Sequence, residues 1–132
     1  GEKMGEIVFF IDTSGSIGEK ELSEFGAEVI AAHTDCHPEK THVVYFDSRV
    51  CHHDIFLQDD EVAIAPHGGG GTAFSPCIQY LEDKDINPVC AVFLTDLCCN
   101  DFGNAPHYPV LWVSTMDGTA PWGEVVLMNA KL

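Results

Sequence analysis

The fold is decided by the stretch IVFFIDTSGSIG, which covers residues 7–18. Its first five residues are apolar, and Asp12, Ser14 and Ser16 follow at once, interspersed with glycine. A continuous apolar run predicts a buried parallel strand, and the polar residues predict a loop at its carboxyl end. A carboxylate and two hydroxyls at alternate positions can converge on one point, and such hard oxygen donors suit Mg²⁺ or Mn²⁺ better than zinc. The stretch therefore predicts part of a metal site, which needs more oxygen ligands from elsewhere in the chain.

The composition is that of one folded, acidic domain. The 132 residues are 45% hydrophobic, enough to bury a core within a single domain, 1–132. Six Lys and Arg against 21 Asp and Glu give a formal charge of −15, which argues against nucleic acid as a partner because phosphate binding needs a basic face. No apolar run approaches the roughly 20 residues of a membrane-spanning helix, so we expect no membrane partner.

Two features of the sequence indicate the cellular compartment. No signal-peptide pattern precedes the first strand, so nothing marks the chain for export. Two of the six cysteines, Cys77 and Cys90, lie in apolar segments, where a free buried thiol is the common state. We therefore expect a reducing, cytoplasmic location. The start, with Met only at position 4, suggests a piece of a longer protein.

The rest of the chain alternates strands and helices. Period and propensity predict helices over 19–33 and 75–85, and further strands over 41–46, 50–57, 89–95, 109–114 and 124–129. The break between the second and third strands is short, which predicts an antiparallel hairpin at a sheet edge. We expect a turn over 34–40, and Ser75 as the N-cap of the second helix with Pro76 at its first position.

Two more segments supply oxygen ligands. Four consecutive glycines, 68–71, predict backbone that turns sharply or approaches another segment closely, and Thr72 follows them. The apolar run 89–95 ends in Asp96, as the first strand ends in Asp12. Two strands that each end in an acid at one edge predict an open α/β sheet with its site at the carboxyl ends of the strands.

The combination resembles the metal-ion-dependent adhesion site (MIDAS) of von Willebrand factor type A (VWA) domains. The resemblance covers the motif positions Asp12, Ser14, Ser16, Thr72 and Asp96. More narrowly, the segments GGGGTAFSP, FLTD, YPVLWV and PWG are similar to those of the bacterial and phage VWA-like family of unassigned function; they begin at positions 68, 93, 108 and 121.

The resemblance implies a fold and a function. The fold is a three-layer Rossmann-like open sheet of about six mostly parallel strands, with one antiparallel edge strand and few helices. The three hydroxyls would bind Mg²⁺ (or Mn²⁺), and the two aspartates would hold waters or coordinate in turn. The remaining position would draw a carboxylate from a partner protein, so the output is binding and not catalysis. In that family the domain commonly lies at the C-terminal end of a longer protein, behind a metallopeptidase-like domain. The resemblance therefore implies that residues 1–132 are the C-terminal part of such a protein, with that domain N-terminal to them.

The sequence departs from the family pattern in two places, and each departure predicts a difference in structure. Asp96 is followed by Leu97, Cys98 and Cys99 where related domains usually have glycine, so we expect the loop to differ in shape there. Only two helices are predicted, and right-handed crossovers would put them on opposite faces of the sheet. We therefore expect bare apolar surface near the last two strands, packed in life against the rest of a longer protein or a partner.

Other interpretations of the same residues stay open. Asp12, Ser14 and Ser16 also suit a polar turn that caps the next helix. An enzyme, either a hydrolase or a phosphotransferase, could use Asp12 or Ser14 as its nucleophile. Against this, Ser14 stands where a phosphoaspartate enzyme needs a second acid, and the chain has neither GxSxG nor a P-loop.

Histidines, cysteines and a further aspartate offer smaller alternatives. His67, His107, Cys98 and Cys99 could gather at the same edge and bind zinc. His52 and His53 are neighbours on a strand and must point to opposite faces. Asp47 ends a strand beside the first and is either an acid that supports the metal ligands or a solvated turn residue.

Overall fold

Six strands form one sheet, with β1 next to its centre. A computed structural model describes residues 4–128, with elements in the order β1 (Met4–Asp12), α1 (Glu19–Cys36), β2 (Pro38–Phe46), β3 (Val50–Leu57), α2 (Ser75–Asp83), β4 (Cys90–Thr95), β5 (Val110–Ser114) and β6 (Glu124–Leu127). The strand order is β3-β2-β1-β4-β5-β6, and only the β2–β3 pair is antiparallel. The predicted α/β Rossmann-like architecture is confirmed.

The two helices cover opposite faces of the sheet. Side chains alternate along β1, so Phe10 packs on the α2 side and Phe9 on the α1 side. The α2-side core is aromatic, since Phe93 of β4 stacks on both Phe10 and Trp112, with ring centroids 4.5 and 4.2 Å apart. Continuous apolar runs in β1, β2 and β4 reflect burial on both faces, as in other parallel sheets.

The predicted hairpin at the sheet edge is also present. β2 and β3 pair antiparallel, with a register shift between Tyr45 and Phe46. His53 contacts Tyr80 of α2, whereas the His52 ring packs against Tyr45 on the α1 side. The two adjacent histidines therefore point to opposite faces, as their positions in a strand require.

The predicted turn over 34–40 is wrong. Helix α1 continues to Cys36 and β2 already begins at Pro38, so His37 alone reverses the chain. It does so in the left-handed conformation, with φ at 48°, which is the usual way to end a helix. Pro38 is tolerated as the first residue of a strand, where a missing N–H costs little.

Helix α2 and strand β6 differ from prediction at their ends. The N-cap is Phe74 and not Ser75, because Ser75 is already helical and its hydroxyl donates to Asp101 Oδ2 at 2.8 Å. The helix ends at Asp83. Strand β6 ends at Leu127, and Asn129, the predicted last strand residue, lies outside the described residues.

Apolar surface on the α1 side of β4, β5 and β6 is partly exposed. Val92 pairs with Leu111, and Val113 pairs with Val126, which is 41% exposed. Val92 and Val113 are partly buried against the core cluster on the α1 side, and Val126 at the far end of this strip is exposed. What covers the strip stays a prediction.

The thiol state of the cysteines and the character of the helices relate only indirectly to the cellular compartment. All six cysteines lie within the described range and are free thiols, and burial raises the pKa of the Cys77 thiol well above its ordinary value. Within residues 4–128, neither helix has the length and apolar character needed to cross a bilayer. The cytoplasmic location stays a prediction.

Candidate metal centre

The loop after β1 leads from the buried core to the solvent. Asp12, the last residue of β1, is fully buried, and its Oδ1 accepts from the Ser14 N–H at 2.9 Å. The Thr13 N–H and hydroxyl both donate to the carbonyl of Phe46, at 2.8 and 3.1 Å, which ties the loop to the end of β2. Ser14 is buried and Ser16 is exposed. A group held by these side chains would therefore face outward.

The end of β4 brings Asp96 into contact with this loop. The Ser16 hydroxyl donates to Asp96 Oδ2 at 2.7 Å, and the Ser14 and Ser16 hydroxyl oxygens are 3.4 Å apart. Thr95, the residue before Asp96, donates its hydroxyl to Asp12 Oδ2 at 2.7 Å. Side-chain contacts thus link four of the five residues that the sequence predicts as metal ligands.

The glycine tract, residues 68–71, lies against the same loop. The Gly15 N–H donates to the carbonyl of Gly70 at 2.9 Å, and a Cβ placed on Gly68 would lie only 2.3 Å from Thr13 Oγ1. The tract is held from the other side by Asp47, whose Oδ2 accepts from the Gly70 N–H at 3.1 Å. The predicted close approach of backbone is therefore present.

Thr72 follows the tract and is linked to the site through backbone. Its carbonyl accepts a weak hydrogen bond from the Cys99 thiol at 3.1 Å, and the next N–H, of Ala73, donates to the Asp47 carbonyl at 2.9 Å. Among the residues described, its hydroxyl makes no hydrogen bond to the other four predicted ligands. The structure therefore brings four of the five predicted ligands together, with the fifth in the adjoining loop.

The electrostatics of the cluster leave negative charge uncompensated. Burial raises the pKa of Asp12, hydrogen bonds from Ser14 and Thr95 partly oppose the rise, and the charge of Asp96 adds to it. The donor atoms are carboxylate and hydroxyl oxygens, which are ligands of Mg²⁺ and Mn²⁺. The residues present therefore fit a hard divalent cation, which would offset the repulsion between the two aspartates.

Comparison with protein families identifies the domain. A family model described as VWA-like domain (DUF2201) matches residues 7–129. The chain belongs to this VWA-like family. Membership supports a general role as a protein-interaction module. No curated protein matches the chain.

In this VWA-like domain, Leu97 takes the backbone conformation that glycine would favour. Its φ is 59°, in the left-handed region, although it carries a full side chain. The Leu97 N–H donates to Thr95 Oγ1 at 3.1 Å, and the Cys98 N–H donates to Asp96 Oδ1 at 3.1 Å. The sequence departure from glycine thus coexists with a left-handed turn, and that turn leaves Asp96 Oδ2 directed at Ser16.

The structure of the VWA-like domain bears on two alternative interpretations, an enzyme with Asp12 or Ser14 as nucleophile and a zinc site. Asp12 is buried with a hydrogen bond to each carboxylate oxygen, and among the described residues no histidine is bonded to the Ser14 hydroxyl. Neither is a well-prepared nucleophile. The zinc site of His67, His107, Cys98 and Cys99 does not form: over residues 4–128, the only metal-ligating group of histidine, cysteine and acid side chains is a different one.

Two residues position the site beyond those that sequence reasoning assigned as ligands. Thr95 orients Asp12, and its place directly before the second acid was the available signal. Asp47 anchors the glycine tract. Burial raises the pKa of Asp47, but hydrogen bonds from Gly70, Cys51 and Arg49 outweigh it, so the pKa lies below its ordinary value. A role for Asp47 was predicted only as one of two alternatives, because its partner lies 23 residues further along the chain.

Proposed function

We propose that this domain is a non-catalytic, divalent-cation-dependent protein-binding module of the MIDAS type. The ligands of the Mg²⁺ or Mn²⁺ ion would be Asp12, Ser14, Ser16, Thr72 and Asp96. The observation that carries the proposal is the chain of contacts from Asp12 through Ser14 and Ser16 to Asp96. The Ser14 N–H donates to Asp12, and side-chain oxygens alone then link Ser14 and Ser16 to the distant Asp96.

The partner would contribute an acidic side chain. Three of the five donors are neutral hydroxyls, so a bound Mg²⁺ would keep much of its positive charge and attract a further anionic ligand. Mg²⁺ prefers six oxygen ligands in near-octahedral geometry, which leaves room for a carboxylate from outside. Ser16 is exposed and Thr72 is partly exposed, so a partner has access to this side of the site.

An apolar groove beside the site supports protein recognition. It has a volume of about 770 Å³, and its apolar lining includes Ile17, Leu22, Ile30, Ile64 and Pro66. Ile17 directly follows Ser16, so the groove begins where the proposed ligands end. A partner whose carboxylate reaches the ion could place neighbouring apolar side chains here, which would add affinity and specificity.

Calorimetric titration with Mg²⁺ and Mn²⁺ tests the metal site. We expect Asp12→Ala and Thr72→Ala to weaken or abolish binding, because each removes an oxygen ligand. The matched controls Asp59→Ala and Thr34→Ala remove the same groups from exposed positions and should leave binding unchanged. Equal cation affinity in all five proteins would contradict the proposal.

Turnover assays test the enzymatic alternative. Wild-type protein with Mg²⁺ should hydrolyse neither phosphate esters nor carboxylic esters. A Mg²⁺-dependent phosphatase or esterase activity that Ser14→Ala abolishes would instead establish the domain as a hydrolase and overturn the binding function.

A further inference from the structure

Three metal-ligating side chains that are not among the proposed magnesium ligands meet at the β3 edge of the sheet. His52 and Asp54 are two residues apart on β3, so they share one face of the strand. His67 comes from the segment before the glycine tract. Their ligand atoms all lie within 4.8 Å of one another, and His52 Nε2 is 2.7 Å from Asp54 Oδ1.

The histidine rings are held together by stacking. The rings of His52 and His67 lie 3.9 Å apart with an angle of 12° between their planes, and the ring of Tyr45 packs edge-on against His67 at 4.5 Å. The cluster therefore joins the edge strand, its neighbour β2 and the approach to the glycine tract. His52 is exposed and the other two ligands are partly exposed, so a metal ion has access from solvent.

We propose that His52, Asp54 and His67 form a zinc site that is separate from the proposed magnesium site. Two imidazoles and one carboxylate are a ligand set that zinc accepts and that magnesium disfavours. Three protein ligands leave the fourth tetrahedral position to a water molecule.

The geometry needs only side-chain adjustment to hold the ion. Zinc-to-ligand bonds of about 2.0–2.2 Å place tetrahedral ligand atoms roughly 3.4 Å from one another. The 2.7 Å contact between His52 and Asp54 must open slightly, and any separation near the 4.8 Å limit must close. The stacked His67 ring must also turn, so that its nitrogen points at the same centre as that of His52. His67 lies in a loop, where rotation about its side-chain torsions is less restricted than in a packed core.

An ion bound there would fix the first end of the glycine tract. His67 directly precedes Gly68, which lies against Thr13. At the other end, Asp47 already holds the tract through the Gly70 N–H. Zinc would thus bind the segment to β3 much as Asp47 binds it to the end of β2.

Zinc calorimetry on the reduced, metal-free domain tests the site, with excess Mg²⁺ present to occupy the oxygen ligands. We expect His67→Gln and Asp54→Asn each to weaken zinc binding by more than about tenfold, since losing even an outer partner of a ligand costs ~10–100-fold. His107→Gln is the matched control, because this exposed histidine lies outside the cluster, and it should bind zinc like wild type. Equal affinity in wild type and His67→Gln would overturn the proposal.

Cobalt substitution tests whether the metal binds at the cysteines instead. A Co²⁺ complex of two imidazoles and a carboxylate should show visible tetrahedral bands without thiolate charge-transfer absorption. The double variant Cys98→Ser, Cys99→Ser should keep these bands. Thiolate absorption, or loss of the bands in the double variant, would place the metal at the cysteines and overturn the assignment. Circular dichroism checks that His67→Gln and Asp54→Asn are folded. Asn has the same size and shape as Asp, so Asp54→Asn still tests the site if His67→Gln fails to fold.

Discussion

At the scale of single residues, Gly68 sets how closely the glycine tract approaches the loop after β1. A Cβ at Gly68 would lie 2.3 Å from Thr13 Oγ1 and 2.9 Å from the Thr13 carbonyl oxygen, whereas a Cβ at Gly71 would have no other atom within 4 Å. We expect Gly68→Ala to displace the tract, lower stability by about 1–3 kcal/mol as overpacking does, and weaken Mg²⁺ binding. Thermal unfolding and calorimetry measure both effects. Gly71→Ala is the control, and equal behaviour of the two variants would contradict this account.

A second prediction at this scale concerns Leu97, where we expect the glycine variant to be more stable than the alanine variant. Leu97→Ala and Leu97→Gly both lose the packing of the leucine side chain beyond Cβ, but only glycine is free of the left-handed penalty, which is about 1–2 kcal/mol for an L-residue. Glycine is normally the less stable of the two in regular structure. Here we expect Leu97→Gly to unfold at higher denaturant concentration than Leu97→Ala. The reverse order would show that the left-handed turn is not maintained.

At the scale of elements, a chain of polar side chains joins three strands to α2. Glu6 of β1 contacts His42 of β2 at 2.7 Å, His42 contacts His53 of β3 at 2.9 Å, and His53 contacts the Tyr80 hydroxyl at 2.8 Å. Burial, and after it the electrostatic interaction with His42, lower the pKa of His53 to about 4. The elements are therefore held together best when His53 is neutral.

This network predicts a pH dependence of stability. The pKa of a histidine in the unfolded state is about 6.5, so between about pH 6.5 and 4 the unfolded state binds a proton at His53 that the folded state does not bind. Its contribution to stability is complete above this window and is lost as the pH falls through it. We expect the free energy of unfolding, measured by urea at several pH values, to fall less steeply with acidification in His53→Gln than in wild type. Parallel pH profiles would contradict the role of His53.

The same elements show how far sequence alone reaches. Strands β1 and β4 were predictable because unbroken apolar runs ending in acids have few other interpretations, and the hairpin followed from its short turn. The turn over 34–40 was not, because a single left-handed residue, His37, leaves no pattern in composition. The start of α2 depends on Asp101, which lies 26 residues after Ser75 and is invisible to local capping rules. The sequence predicted that Asp12, Ser14, Ser16 and Asp96 would lie close together, and their contacts are present, but it did not predict that Thr72 would be linked to them through backbone. Their role as metal ligands stays a prediction.

At the scale of the whole molecule, the net charge of −15 predicts a response to salt. Self-repulsion destabilises the compact state, and salt screens it. We expect NaCl to raise the melting temperature modestly, and MgCl₂ at matched ionic strength to raise it further, since an ion that binds only the folded state stabilises it. The extra increment should vanish in Asp96→Asn and persist in Asp59→Asn. Equal effects of the two salts on wild type would contradict specific cation binding.

The aromatic interior beneath the loops affects which partners could reach a bound cation. Phe10 and Phe93 lie two and three residues before Asp12 and Asp96, so hydrocarbon and not water would lie under a cation held there. Low-dielectric walls focus field lines toward the open side, while the net charge of −15 on the chain repels anions at long range. A broad acidic surface would be turned away, whereas one carboxylate at the tip of a projecting segment could reach the ion. The domain would thus select a partner by the shape in which negative charge is presented.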